Sequence, residues 1–294
     1  MRKLKDPRLL LVVAMTVFGT IGAFVRHIGL PSGELALYRA VMAVIMLGVY
    51  IAVTGQKLPV AAMKKQLPLL IASGAAMGIN WILLFQAYQY TTVSVATLSY
   101  YFAPVLVMAA CPVLFREKLT GKQIVCFVMS TIGLILITGF GTLGQGTDLK
   151  GVFFGIGAAV FYASVILMNK YIRGVEGIHR TFVQFVGAAV VLAPYVLLTD
   201  GIHLGELDAA GWVNLVIVGV VHTGVTYCLY FSALKELPGQ KAAILSYVDP
   251  LVAVLVSVTV LAEPLSLWQA LGGLLILGFT LWNELPSKRG KTDR

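Results

Sequence analysis

The chain consists almost entirely of apolar stretches, each about 20 residues long, separated by short polar segments. Only 12% of its residues are charged, whereas a soluble domain has roughly 25%. So few charged side chains cannot give the folded chain a surface that water solvates. Because about 20 apolar residues cross the hydrocarbon of a bilayer as one helix, the sequence predicts an all-α membrane protein.

Ten transmembrane helices fit these apolar stretches. The predicted ranges are 9–28, 33–53, 67–89, 93–115, 121–140, 150–170, 179–198, 210–234, 239–261 and 265–283. They are numbered here as predicted helices 1 to 10. They leave no room for a soluble domain or a long linker.

The basic residues predict the orientation of these helices. Nearly all of the 22 Lys and Arg residues lie at the two termini or in alternate loops, so they fall on one side of the membrane. Cytoplasmic loops carry an excess of Lys and Arg. We therefore expect a multi-pass protein of the cytoplasmic (inner) membrane with both termini in the cytoplasm. The net charge of +9 then reflects this topology and does not indicate nucleic acid as a partner.

The two halves of the chain match each other when the sequence is shifted by 146 positions. The matched pairs include Gly78 with Gly224, Tyr101 with Tyr247, and Pro104 with Pro250. We interpret residues 1–146 and 147–294 as two copies of one five-helix unit. Since five is odd, the second copy enters the membrane from the opposite side. Such inverted repeats are typical of transporters that alternate access to a site near the midplane.

Two stretches that end the two halves carry a family resemblance. They are "ATLSYYFAPVLVMAACPVLFREKLTGKQ" and "AAILSYVDPLVAVLVSVTVLAEPLSLWQ". Each has an apolar helix with an internal proline, followed by a glutamate, a Leu with Thr or Ser, and a Gln. In this the chain resembles the EamA family of the drug/metabolite transporter superfamily. The resemblance implies a ten-helix secondary transporter, commonly an exporter of small metabolites such as amino acids.

Asp249 is a carboxylate in the middle of an apolar run, directly before Pro250. A charge at that depth is costly and usually functional. We predict that Asp249 carries a proton or binds a cationic group of the substrate; a structural hydrogen bond to a neighbouring helix is the alternative. Arg39 lies within predicted helix 2. It is expected to neutralise Asp249, to hold a substrate carboxylate with its two-pronged guanidinium group, or to extend to the membrane interface.

Further polar and aromatic residues are candidates for a central cavity. His222 lies near the middle of predicted helix 8, where it either carries a proton or forms a buried hydrogen bond. Candidates for the cavity wall, with helix packing as the alternative for each, are Asn80, Trp81, Tyr101, Tyr227 and Tyr247. Pro104 and Pro250 are predicted to bend helices 4 and 9. Glu117 and Glu263 are expected to lie at the positive start of the following helix.

These features predict a secondary active transporter for a small-molecule substrate, with protons as the candidate coupling ion. The sequence has no nucleotide-binding loop, so a solute or ion gradient is the expected driving force. The three cysteines are far apart and have no metal-ligand spacing. We therefore expect no cofactor, no metal site and no enzymatic activity. An intramembrane enzyme and a channel or non-transporting helper subunit are the alternatives, and the oligomeric state is left open.

Overall fold

The computed structural model describes residues 6–116, 119–139, 149–175, 177–199, 201–234, 236–237 and 245–285. Glu117 and predicted helix 9 up to residue 244 lie outside these residues. Every regular element in the described ranges is helical. The α-helices are α1 (Pro7–Val25), α2 (Ser32–Val53), α3 (Val60–Tyr90), α4 (Val93–Tyr100), α5 (Ala103–Phe115), α6 (Gly121–Gly139), α7 (Leu149–Tyr171), α8 (Gly177–Leu198), α9 (Ala209–Val216), α10 (Thr226–Leu234), α11 (Val248–Thr259) and α12 (Leu267–Glu284). A π-helical segment, Ile217–Val225, joins α9 to α10 and is called the π segment.

Within the described ranges, seven helical segments are long and apolar enough to cross a membrane. Two of them are composite: α4 with α5, and α9 with the π segment and α10. Shorter apolar helices lie at Gly121–Leu136 and Val248–Thr259. The prediction of an all-α, multi-pass membrane architecture is confirmed, whereas the count of ten spans stays a prediction.

The start of α3 differs from the predicted bound. The helix begins at Val60, not at residue 67, and includes Lys64 and Lys65, which we had placed in a loop. Lysine is a good helix former, and both side chains are exposed here. A polar extension of an apolar helix has no hydropathy signal, so the pattern alone did not predict it.

The helix is interrupted next to each of the two repeated prolines, whereas we had predicted bends within continuous helices. Predicted helix 4 is divided at Tyr101 and Phe102, and α5 begins immediately afterwards with Pro104 in its first turn. A turn at Tyr247 likewise precedes α11, whose third residue is Pro250. The first turn of a helix tolerates proline because its N–H groups have no partner within the helix. Each proline therefore starts a new helix.

The helices of the first half pack mainly against those of the second half. Helix α3 packs against α7 and α8. The segments of the second half that correspond to α3 are the π segment and α10, which pack against α2 and α1. Helices α4 and α5 contact α7, and α11 contacts α1. The pairs α2–α8, α4–α11 and α6–α12 join matching helices directly. This set of contacts is preserved when the two halves are exchanged.

Glycines bring these helices close together, and their neighbours also match between the halves. On α3 and the π segment the glycine–neighbour pairs are Gly74 with Ala188, Gly78 with Leu192, Gly219 with Met42, and Gly224 with Met46. The two neighbours are spaced alike on α2 and α8, but the second-half glycines are one residue further apart. A π-helix turn holds that extra residue, because its hydrogen bonds span five residues where those of an α-helix span four. Both glycines thus keep facing α2.

Replacing Gly74 with alanine tests this close packing. A Cβ atom there would clash with the backbone oxygen of Gln184, so Gly74→Ala should destabilise the protein by roughly 1–3 kcal/mol. At Gly278 on α12 nothing lies within 4 Å of such an atom. Gly278→Ala is therefore the control and should be neutral or slightly stabilising. Melting temperatures in detergent measure both effects, and equal values for the two variants would contradict the tight α3–α8 contact.

A polar network joins α1, α4 and α11 at one end of the bundle. Arg26 Nη2 lies 3.0 Å from Glu263 Oε1, close enough for charge attraction, and Arg26 also donates to the Thr91 carbonyl oxygen. Glu263 Oε2 accepts from the Val93 N–H at 2.8 Å and from the Ser257 hydroxyl. Glu263 thus meets a helix N-terminus as predicted, but that of α4 and not of the following helix. The reason is that the chain folds α11 directly against α4.

Truncating the two members of the charged pair should have unequal effects. Glu263→Ala leaves the buried Val93 N–H without its acceptor, which should cost about 1–3 kcal/mol. Arg26→Ala removes a partly exposed charge and leaves that acceptor in place, so we expect a loss of about 1 kcal/mol or less. Chemical denaturation in mixed micelles compares the two. A larger loss for Arg26→Ala would contradict a network centred on Glu263.

Candidate functional site

A cavity of about 350 Å³ lies between the two halves. Its volume is within the usual range of small-molecule pockets. Its wall includes six of the predicted site residues: Arg39, Asn80, Trp81, Tyr101, Tyr227 and Asp249. The wall continues to Asn169, Arg180 and Thr181, where α7 ends and α8 begins. The Arg26–Glu263 network belongs to the opposite end of the bundle.

Arg39 is held on the cavity wall with its side chain almost fully buried. Arg39 is only 6% exposed. Its guanidinium carbon lies 4.4 Å from the centre of the Trp81 ring and 5.6 Å from the centre of the Phe85 ring. Nε donates to Thr223 Oγ1 at 3.1 Å. Among the described residues no carboxylate lies within ion-pair distance of this guanidinium. Arg39 therefore neither extends to the interface nor pairs with Asp249.

Asp249 and Tyr101 form a direct contact across the cavity wall. The Tyr101 hydroxyl donates to Asp249 Oδ2 at 2.6 Å. Tyr101 occupies the break between α4 and α5, and Asp249 is the second residue of α11. The helix breaks at the repeated prolines thus place a donor and an acceptor against each other. Tyr100 lies edge-on to Tyr101 and stacks on Tyr162, which extends the aromatic wall.

The centre of the cavity has a symmetric aromatic framework and asymmetric polar residues. Trp81 and its counterpart Tyr227 each contact Phe185, with ring centres 5.3 and 5.1 Å apart. The counterpart of Phe185 at a shift of 146 is Arg39, which stacks on Trp81. Two further polar residues also have apolar counterparts: Asp249 matches Ala103, and Thr223 matches Met77. The polar groups of the site therefore differ between the halves, whereas the scaffold is shared.

Asn80 contributes to packing as well as to the wall. Its side-chain amide donates to the Ala158 carbonyl oxygen at 2.6 Å and so joins α3 to α7. Both interpretations of Asn80, cavity wall and helix packing, describe its position.

His222 and Tyr247 are not on the cavity wall, which corrects their predicted location. His222 Nε2 lies 2.8 Å from the Thr20 hydroxyl, and its ring packs on Phe24 of α1. It therefore matches the alternative of a buried, hydrogen-bonded histidine. Tyr247 lies at the start of α11 and is directed to Thr280 of α12. Sequence position placed both residues at the right depth but could not determine which face of the helix they occupy.

A polar group around Gln184 on the cavity wall was missed by the sequence analysis. Gln184 Nε2 donates to Ser73 Oγ and to Asn169 Oδ1, each at 2.7 Å. Arg180 and Thr181 lie on the same turn of α8 and line the cavity with it. Arg180 lies at the start of predicted helix 7 and was not among the predicted cavity residues. The spacing of Arg180 and Gln184, one helical turn apart, was a signal for a shared polar face.

The charges on the described wall are Arg39, Arg180 and Asp249. Two cations and one carboxylate, enclosed by aromatic rings, fit a solute with an anionic group and an apolar body. The described residues contain no cluster of His, Cys, Asp and Glu that could hold a metal ion.

Comparisons with known proteins agree with a transport role. The model of the EamA-like transporter family matches residues 8–139 and again 149–283. An uncharacterized transporter of Bacillus subtilis strain 168, YxxF, is 31% identical over 289 residues, which cover 96% of this chain and 90% of that protein. An uncharacterized transporter of Archaeoglobus fulgidus is 29% identical over 281 residues, covering 93% and 95% of the two chains.

The fold also occurs among solved structures. A crystal structure with 16% sequence identity superposes with a TM-score of 0.65 and covers 93% of this chain and 94% of its own. At that identity the likeness shows the fold alone. The family model covers most of the chain, and therefore this multi-pass membrane protein belongs to the EamA-like transporter family.

Proposed function

We propose that the protein is a secondary active transporter that exports small metabolites with a carboxylate group, in particular amino acids or related solutes, across the cytoplasmic membrane. The observation that carries this proposal is the buried guanidinium of Arg39, which lines the cavity and has no carboxylate of the described residues at ion-pair distance. A buried charge without a counterion is unfavourable. A substrate carboxylate would supply the counterion and would match the two-pronged donor geometry of arginine.

Asp249 is the proposed second recognition point. It is the one carboxylate on the described cavity wall and is oriented by the Tyr101 hydroxyl. A substrate ammonium group or a proton would neutralise it. His222 is bonded to α1 and lies away from the wall, so Asp249 is the better candidate for the proton carrier.

Alternating access is supported by the correspondence between the halves. The family model matches twice, the helix contacts are preserved on exchange of the halves, and the glycine pairs correspond. Two inverted five-helix repeats give ten spans with both termini in the cytoplasm. In that orientation the end of the cavity at Arg180 lies towards the cytoplasm, and the Arg26–Glu263 network lies at the outer end of the bundle.

Substrate binding should depend on Arg39. A thermal-shift panel of the twenty L-amino acids, each compared with the amine that lacks its carboxylate, tests this on the purified protein. Any amino acid that stabilises the protein should bind about ten- to a hundredfold more weakly to Arg39→Ala, as expected for loss of a charged hydrogen-bond pair. Arg39→Lys keeps the charge without the two-pronged geometry and should be intermediate. Equal stabilisation by the amines would refute a carboxylate site.

Transport driven by a pH gradient should depend on Asp249. Asp249→Asn keeps the shape and a hydrogen-bond acceptor for Tyr101 but cannot ionise. In proteoliposomes we expect it to lose net flux driven by a pH gradient and to retain exchange of labelled for unlabelled solute. His222→Gln, outside the cavity, is the control and should retain both. If Asp249→Asn supports gradient-driven flux at the parent rate, Asp249 is not the proton carrier.

A further inference from the structure

The π segment is where the second half departs from the backbone of the first. Its nine residues, Ile217–Val225, correspond to part of the regular helix α3. The extra residue lies between Gly219 and Gly224, which both face α2. A π turn is rare, strains the hydrogen-bond ladder and frequently marks a functional site. The contacts of both glycines with α2 explain how the segment packs there. They do not explain why the π turn is present, because two glycines spaced as in α3 would pack equally well.

Thr223 is the residue of the π segment that reaches Arg39. Thr223 is fully buried in the π segment, and its hydroxyl donates to the Val218 carbonyl oxygen at 2.9 Å. Since the hydroxyl hydrogen is used there, the oxygen is left as an acceptor. It accepts Arg39 Nε–H at 3.1 Å. The result is a directed chain from guanidinium to hydroxyl to backbone carbonyl, and linked hydrogen bonds of this kind strengthen one another.

This bond leaves a particular part of Arg39 for a ligand. With Nε bonded to Thr223 and the flat face of the group on Trp81, the rotation of the guanidinium is fixed. The two terminal nitrogens, which form the two-pronged donor, belong to the side chain that lines the cavity. We propose that Thr223 is a positioning residue that orients Arg39 for two-pronged carboxylate binding, and that the π segment serves to present it. This inference rests on the proposed function for the identity of the ligand, but not for the orientation of Arg39.

The π segment and its boundary provide a matched control. Thr226 is as buried as Thr223 and makes the same kind of bond, from its hydroxyl to the Val221 carbonyl oxygen at 2.7 Å. It does not contact Arg39. Thr226→Val therefore removes a hydroxyl–carbonyl bond of the same type without affecting the guanidinium, and it reports the purely structural cost.

Fluorescence of Trp81 tests the positioning role without any ligand. In a protein whose other three tryptophans, Trp212, Trp268 and Trp282, are replaced by phenylalanine, the emission reports the cation on the Trp81 ring. Arg39→Gln gives the spectrum without that cation. We expect Thr223→Val to move the emission towards the Arg39→Gln spectrum, and Thr223→Ser and Thr226→Val to keep the parent spectrum. An unchanged spectrum for Thr223→Val, or an equal shift for Thr226→Val, would overturn the proposal.

Transport of radiolabelled L-amino acids, each of the twenty offered alone, provides the second readout. For any that the parent protein transports, Thr223→Val should raise KM about five- to tenfold with little change in Vmax, and Thr223→Ser should restore the parent KM. In an Arg39→Lys protein, Thr223→Val should have no further effect on KM, because lysine has no Nε–H to orient. An equal rise in KM in both backgrounds would contradict positioning through Arg39.

The two readouts separate the two proposals. If none of the amino acids binds or is transported, the proposed substrate class fails, and the fluorescence comparison still decides whether Thr223 orients Arg39. If transport depends on Arg39 but neither the spectrum nor KM responds to Thr223→Val, the proposed function stands and the positioning role is refuted.

Discussion

The contact between the Arg39 guanidinium and the Trp81 ring is the interaction around which the cavity is organised. A charge in the interior of a membrane protein is stable only if its surroundings compensate for the lost water. Here the indole ring, the Thr223 hydroxyl and the open cavity supply that compensation. Helices α2, α3 and the π segment must meet at this point for the contact to form. Their close approach, through Gly219 and Gly224 on Met42 and Met46, is the structural condition for it.

The two halves share a scaffold and differ in chemistry. Matching helices, matching glycines and the central aromatic rings follow the repeat, whereas Arg39, Thr223 and Asp249 each replace an apolar counterpart. A symmetric scaffold suits alternating access, because two equivalent halves can exchange conformations. A symmetric binding site would bind an asymmetric solute equally well in two opposite orientations. The polar substitutions therefore allow the cavity to distinguish the two ends of an asymmetric molecule.

Much of the architecture was predictable from the sequence because apolar length and repeated residues are local signals. They gave the all-helical class and several residues that lie on the cavity wall, among them Arg39, Trp81 and Asp249. These signals do not show which face of a helix a residue occupies. His222 faces α1 and Tyr247 faces α12, and neither lies on the cavity wall. The same signals also failed at Pro104 and Pro250, since a proline in an apolar run fits a bend and a break equally well. Arg180 was not predicted to line the cavity, because hydropathy does not show which face of a helix a residue occupies.

The one-residue difference between α3 and the π segment has a genetic consequence. A tandem duplication yields two units of the same length, and a single additional codon in one copy is enough to rotate its downstream side chains relative to the upstream ones. Thr223 lies in the segment that holds the extra residue, and its partner Arg39 belongs to the other half. The first half carries Arg39 with Met77, and the second half carries Phe185 with Thr223, so two copies of either half alone would lack this pair. The pair therefore requires two halves that differ in sequence at these positions, and a strictly symmetric assembly of either half could not form it.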